Sequence, residues 1–188
     1  MLDHFGFLAP FYERFIPPPD GERWKELLDL PINGRLLDAG GGTGRVSGQL
    51  RPFLAQLVIS DESPKMLAQA REKLLCCTAV SHAETLPFPD ASFERIMVVD
   101  ALHHFADQRH AIAELVRVLQ PNGRLVIEEP DLHRFSVKLV ALAEKVALMR
   151  SKFYTPEAIR DMVAAHGLQT EIKTDGRFAA WVIAEKRE

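Results

Sequence analysis

Apolar positions along this chain alternate between two patterns. Short, nearly unbroken runs, clearest in Ile96-Met97-Val98-Val99, suit strands buried on both faces of a parallel sheet. Such runs predict strands at Leu36-Leu37 and over 56–60, 76–80, 93–99 and 123–128. Between them, apolar residues recur at helical spacing. Trp24, Leu27 and Leu28 mark a helix over 23–30, and Ile112, Leu115, Val116 and Leu119 mark one over 109–119. Further helices are expected over 45–54, from Ser63 with Pro64 at the first helical position, and over 132–149. One more begins at Thr155 and closes at Gly167. Two strands, 168–173 and 178–184, flank Thr174-Asp175-Gly176-Arg177, which reads as a hairpin turn. The alternation predicts an α/β fold whose parallel sheet ends in an antiparallel hairpin. Ahead of it, 1–16 carries Phe5, Phe7, Phe11, Tyr12 and Phe15, and Pro17-Pro18-Pro19 then breaks any helix.

Composition narrows the picture. At 188 residues, 47% hydrophobic and 26% charged, the chain suits one domain with a good core. A net charge of −3 argues against a dedicated nucleic-acid binder. No apolar run approaches membrane-span length and no signal-peptide pattern opens the chain, so a cytoplasmic location is expected. Cys76 and Cys77 are adjacent, which suits neither an ordinary disulfide nor a known metal spacing; buried or half-buried thiols are expected. No ligand cluster for a metal is visible.

The candidate chemistry starts at Leu36-Leu37-Asp38-Ala39-Gly40-Gly41-Gly42-Thr43-Gly44, a strand, an acid and a glycine loop that leads into a helix. That order makes a nucleotide-binding corner in an open α/β sheet. The dinucleotide spacing G-x-G-x-x-G fits neither register, since Arg45 and Ser47 stand where its last glycine would be. At the tip of the second strand stands Asp61, whose two carboxylate oxygens suit the paired hydroxyls of a ribose.

Asp38-x-Gly40-x-Gly42-x-Gly44 resembles motif I of the class I S-adenosylmethionine (SAM)-dependent methyltransferases, and Asp61-x-Ser63-Pro64-x-Met66-Leu67 resembles their second motif. The resemblance implies SAM as methyl donor. Gly40, Gly42 and Gly44 would approach its amino-acid end, and Asp38 would contact that end directly or through water. Asp61 would hold the ribose, Glu62 would flank the adenine, and Met66 would lie in the same site. Residues 82–93 resemble a third motif, but His82 stands where the family has an adenine-reading Asp. The adenine edge would be read by His82 in the right tautomer, or through the Ala83 backbone and Glu84. Asp100-Ala101-Leu102-His103-His104 forms the fourth strand's tip, which borders donor and acceptor alike. Asp100 would hold the methionine ammonium or an acceptor hydroxyl, and His103 or His104 is a candidate general base. Glu128 and Glu129 are adjacent on a strand and so point to opposite faces, which argues against a dyad. His133 and Arg134 could line an acceptor cavity.

The likeness is nearest to the small-molecule branch that includes ubiquinone/menaquinone-biosynthesis methyltransferases. It implies a Rossmann-like, seven-stranded, mostly parallel sheet with helices on both faces. In this reading 1–34 is a helical cover, 35–130 the SAM-binding half, and 131–188 the acceptor-side helices and hairpin. The expected activity is methyl transfer to a small-molecule O, N or C nucleophile. A non-catalytic SAM-binding module and a nicotinamide-dependent oxidoreductase are the alternatives. The acceptor and the oligomeric state are not set by the sequence.

Overall fold

The chain's apolar runs assemble into one seven-stranded sheet, seen in a computed structural model that describes residues 20–134, 137 and 151–187. The aromatic segment 1–16 and most of the helix expected over 132–149 lie outside the described residues. In chain order the elements are α1 (Gly21–Leu27), β1 (Arg35–Ala39), α2 (Ser47–Leu50), β2 (Gln56–Asp61), α3 (Pro64–Lys73), β3 (Cys77–Val80) and β4 (Phe93–Val99). Then come α4 (Gln108–Val118), β5 (Leu119–Pro130), α5 (Pro156–Ala164), β6 (Gln169–Thr174) and β7 (Ala179–Glu185). The spatial order is β3-β2-β1-β4-β5-β7-β6. β1 to β5 run parallel, and β7 is antiparallel to both its neighbours.

Alternation along each strand sends side chains to two cores. Leu37, Ile96, Val98, Leu125 and Ile127 pack with α4 and α5 residues such as Ile112, Leu115 and Ile159. Leu36, Met97, Val126 and Trp181 pack on the other side with Trp24, Leu27, Leu50 and Leu67. Arg95 and Arg124 reach across from the sheet to the Leu28 and Leu27 carbonyls at the C-terminus of α1, where cations offset exposed carbonyl charge.

Several boundaries differ from the periodicity reading. The helix expected over 23–30 starts earlier, because Asp20 caps it by accepting from Arg23 N at 3.0 Å. The one expected over 45–54 is only α2 followed by a 3-10 turn at Arg51–Phe53, where Pro52 interrupts the α-helical bonding. α4 runs 108–118, one residue ahead of the periodicity, because Asp107 caps it through His110 N. β5 is longer than 123–128; its pairing shifts register between Phe93 and Arg95, and the regular ladder begins at Arg124. Ser63 and Thr155 cap α3 and α5 as expected, through Met66 N and Ala158 N. Cys77 is exposed at the start of edge strand β3, which corrects the expectation of a sheltered thiol; Cys76 is half-buried.

Candidate active site

The C-terminal ends of β1, β2 and β4 converge on the glycine loop. The N–H groups of Gly40 and Gly41 both donate to the Ser60 carbonyl, at 2.8 and 3.2 Å, which ties the loop to β2. Gly40 has φ 73°, and a Cβ there would lie 2.8 Å from that of Ala101. Positive φ and lack of space together require glycine. Gly42 and Gly44 also have positive φ, and the Met66 methyl sits 3.2 Å from where a Gly42 side chain would begin. Asp61 is oriented from both sides. Gly42 N donates to Oδ2 at 2.9 Å and Ser63 N to Oδ1 at 2.8 Å. The two motifs, separate in sequence, are thus hydrogen-bonded to each other.

Asp38 is 2% exposed. Burial pushes its carboxyl up to about 7; nearby Ser47 opposes this, Asp61 adds to it, and Arg45 opposes it. Among the described residues neither Asp38 Oδ1 nor Ser47 Oγ has a hydrogen-bond partner. An orphaned buried acceptor beneath a loop that excludes side chains fits a ligand carrying a positive charge and needing close backbone approach. That is the chemistry of the methionine end of SAM.

On the β3 side, His82 Nδ1 lies 3.3 Å from Glu62 Oε2, and both side chains are exposed. Ala83 is buried, and the carboxylate of Glu84 turns away to accept from Asp107 N at 2.9 Å, at the N-terminus of α4. Leu86 is a core residue, and Phe88 meets Phe93 edge-on with centroids 5.0 Å apart.

At the β4 tip Asp100 turns the chain with φ 51°. The two histidines that follow differ. His103 is 3% exposed, its Nδ1 is 2.7 Å from Glu129 Oε2, and its ring stacks on Phe153 at 4.3 Å. Its carbonyl accepts from Lys152 N. His104 is partly exposed, with Nδ1 3.3 Å from Ser151 Oγ. Burial first and His103 second push its imidazole down to about 4, so it is neutral at pH 7. His133 pairs with Glu157 at 3.0 Å and Arg134 with Asp131 at 3.3 Å.

Sequence reasoning named Glu128 only beside Glu129, as a pair argued against as a dyad, and gave it no role of its own. It is partly exposed at the end of β5 and accepts from Trp181 Nε1 at 2.5 Å. Its partner comes from β7, fifty-three residues on, so no local signal could have singled it out. A hollow of about 610 Å³ lined by Arg51, Gln56, Arg71 and Cys77 opens at the opposite ends of β2 and β3, away from this crevice. Among the described residues no His, Cys, Asp or Glu group is placed to hold a metal, and no helix is long and apolar enough to cross a membrane.

Residues 37–127 match the family described as a methyltransferase domain. The demethylmenaquinone methyltransferase of Thermus thermophilus is 35% identical, over 92% of this chain and 90% of that protein. This chain belongs to the class I SAM-dependent methyltransferases. The ubiquinone/menaquinone biosynthesis C-methyltransferase UbiE of Stutzerimonas stutzeri is 31% identical over 72% of this methyltransferase, which spans 59% of that relative's length. The fold matches a SAM-dependent methyltransferase from Thermotoga maritima with TM-score 0.80 at 20% identity, over 97% of this chain and 98% of that one. SAM is the methyl donor of the family, and neither the oxidoreductase nor the non-catalytic alternative is favoured.

Proposed function

We propose that this methyltransferase moves the methyl group to a small aromatic acceptor of the quinol type, at a ring carbon. One observation carries the reading: a relative named for demethylmenaquinone is matched over nine-tenths of both chains. The crevice geometry supports a donor held as follows. Asp61, already aimed by two backbone N–H groups, accepts from the ribose hydroxyls. Asp38 and the loop of Gly40, Gly42 and Gly44 take the methionine end, with Asp100 across from them at the β4 tip. Glu62, His82 and the Ala83 backbone flank the adenine, while Met66 supports the loop from beneath. Glu84 is left to cap α4. His103 and His104 border the acceptor side, His103 as a buried brace and His104 as a neutral imidazole.

SAM supplies an electrophilic methyl on a sulfonium, so the protein's main task is to align an acceptor with it and exclude water. The test is to incubate the full chain with SAM and a panel of demethylated naphthoquinols, benzoquinols, catechols and amines, and read products by mass. A methylated naphthoquinol or benzoquinol is expected. Methylation of an amine alone would overturn the acceptor class. Calorimetry that finds NAD bound and neither SAM nor S-adenosylhomocysteine would overturn the donor.

A further inference from the structure

Strand alternation puts Asp38 on β1 and Glu128 on β5 on the α1 face of the sheet, the face of Leu36 and Val126, and Asp100 follows the end of β4 between them. Glu128 senses Asp100 and Arg45, and Arg45 in turn acts on Asp38. Glu128 is held firmly. Its carbonyl accepts from Asp100 N at 3.0 Å, and Trp181 Nε1 holds Oε2. Trp181 is itself buried, with the Arg23 guanidinium 3.8 Å from its ring centre. Glu128 Oε1 has no hydrogen bond among the described residues, and the side chain is partly exposed. The next residue has the opposite character. Glu129 is 5% exposed, and its oxygens are taken by Leu102 N and His103 Nδ1. Strand alternation makes one carboxylate a brace and aims the other from the opposite face.

We propose that Glu128 faces the transferring methyl group and takes the proton that the acceptor releases. This rests on the donor placement proposed above. The methyl's bond to sulfur breaks, and its electron pair stays on sulfur. The acceptor atom forms the new bond to the methyl, and the proton it sheds passes to Glu128 Oε1 and then to water. Burial raises the Glu128 carboxyl to about 7, against the Trp181 N–H and Arg45 and with Asp100 and Glu129. A base in that range is well matched to neutral pH, whereas His104 at about 4 is a weak one and His103 is committed to Glu129.

The test needs no acceptor. Calorimetry at pH 8, where Glu128 is ionised, compares S-adenosylhomocysteine with its analogue bearing an amine where the methyl sits, on the full chain, Glu128→Gln and Glu128→Asp. The wild-type protein is expected to prefer the cationic analogue. Glu128→Gln should keep S-adenosylhomocysteine affinity within about twofold and lose about tenfold of that preference, with Glu128→Asp between. An unchanged preference in Glu128→Gln would overturn the proposal. So would an equal loss for both ligands, which would make Glu128 a structural or general donor-binding group. Wild-type protein that binds neither ligand would overturn the donor placement first, and the role of Glu128 with it.

Discussion

Asp38 combines two features that a stable core avoids: a carboxylate almost without solvent, and an oxygen without a partner among the described residues. Its carboxyl is pushed up to about 7 in the folded chain, above its ordinary value of 3.8. Between those values the folded state keeps a proton that the unfolded chain has shed. Stability from this group is therefore present at low pH and lost as pH rises from about 4 to about 7. Asp38→Asn should remove that loss and raise stability in urea unfolding at pH 8 more than at pH 5, by on the order of a few kcal/mol. It should also weaken SAM binding. With the donor's positive charge against Asp38, as proposed, SAM binding near pH 7 should release a proton from the wild-type protein and none from Asp38→Asn. Calorimetry in buffers of different ionisation heat measures this directly. Asp61→Asn keeps one acceptor oxygen but turns an amide NH2 toward the N–H of Gly42 or Ser63, and should weaken SAM roughly tenfold by titration. Both residues were legible in the sequence because each stands in a local pattern, a strand end followed by glycines or by Ser-Pro. Glu128 was not, because its partners Trp181, Asp100 and Arg45 come from elements distant in the chain.

Two helix starts were legible from their caps. Ser63-Pro64 and Thr155-Pro156 each place a hydroxyl before a residue with no N–H to lose, and both helices begin there. Ser63→Ala should cost about 1 kcal/mol by urea unfolding, through loss of the cap on Met66 N, while the Ser63 N–H to Asp61 remains. Boundaries were missed where a backbone event outranked periodicity: Asp20 and Asp107 start α1 and α4 early, and Pro52 cuts α2 short. The hairpin of β6 and β7 followed from Asp175, whose carboxylate accepts from the N–H groups of Arg177, Phe178 and Ala179.

Across the whole molecule, one buried pair joins parts that are remote in the chain. Glu129 on β5 holds Leu102 N and His103 at the β4 tip, and His103 in turn holds Lys152 and Phe153 just before α5. Glu129→Ala would leave a buried N–H and an imidazole uncompensated, at a cost of about 3–5 kcal/mol. Hydrogen exchange should then show faster exchange at both 101–105 and 151–155, even though the substitution lies in neither segment. If only β5 responded, the brace would be local.

By itself the sequence determined the alternation of strands and helices, the glycine loop, and the acids at the tips of β1 and β2. Periodicity, capping and positive φ act over a few residues, so they are written locally. Only the tertiary structure decided that β7 inserts between β5 and β6, that His103 is a brace, and that Glu128 and Glu129 part company. Those outcomes depend on which strand pairs with which and on what covers each face, and long-range packing settles both.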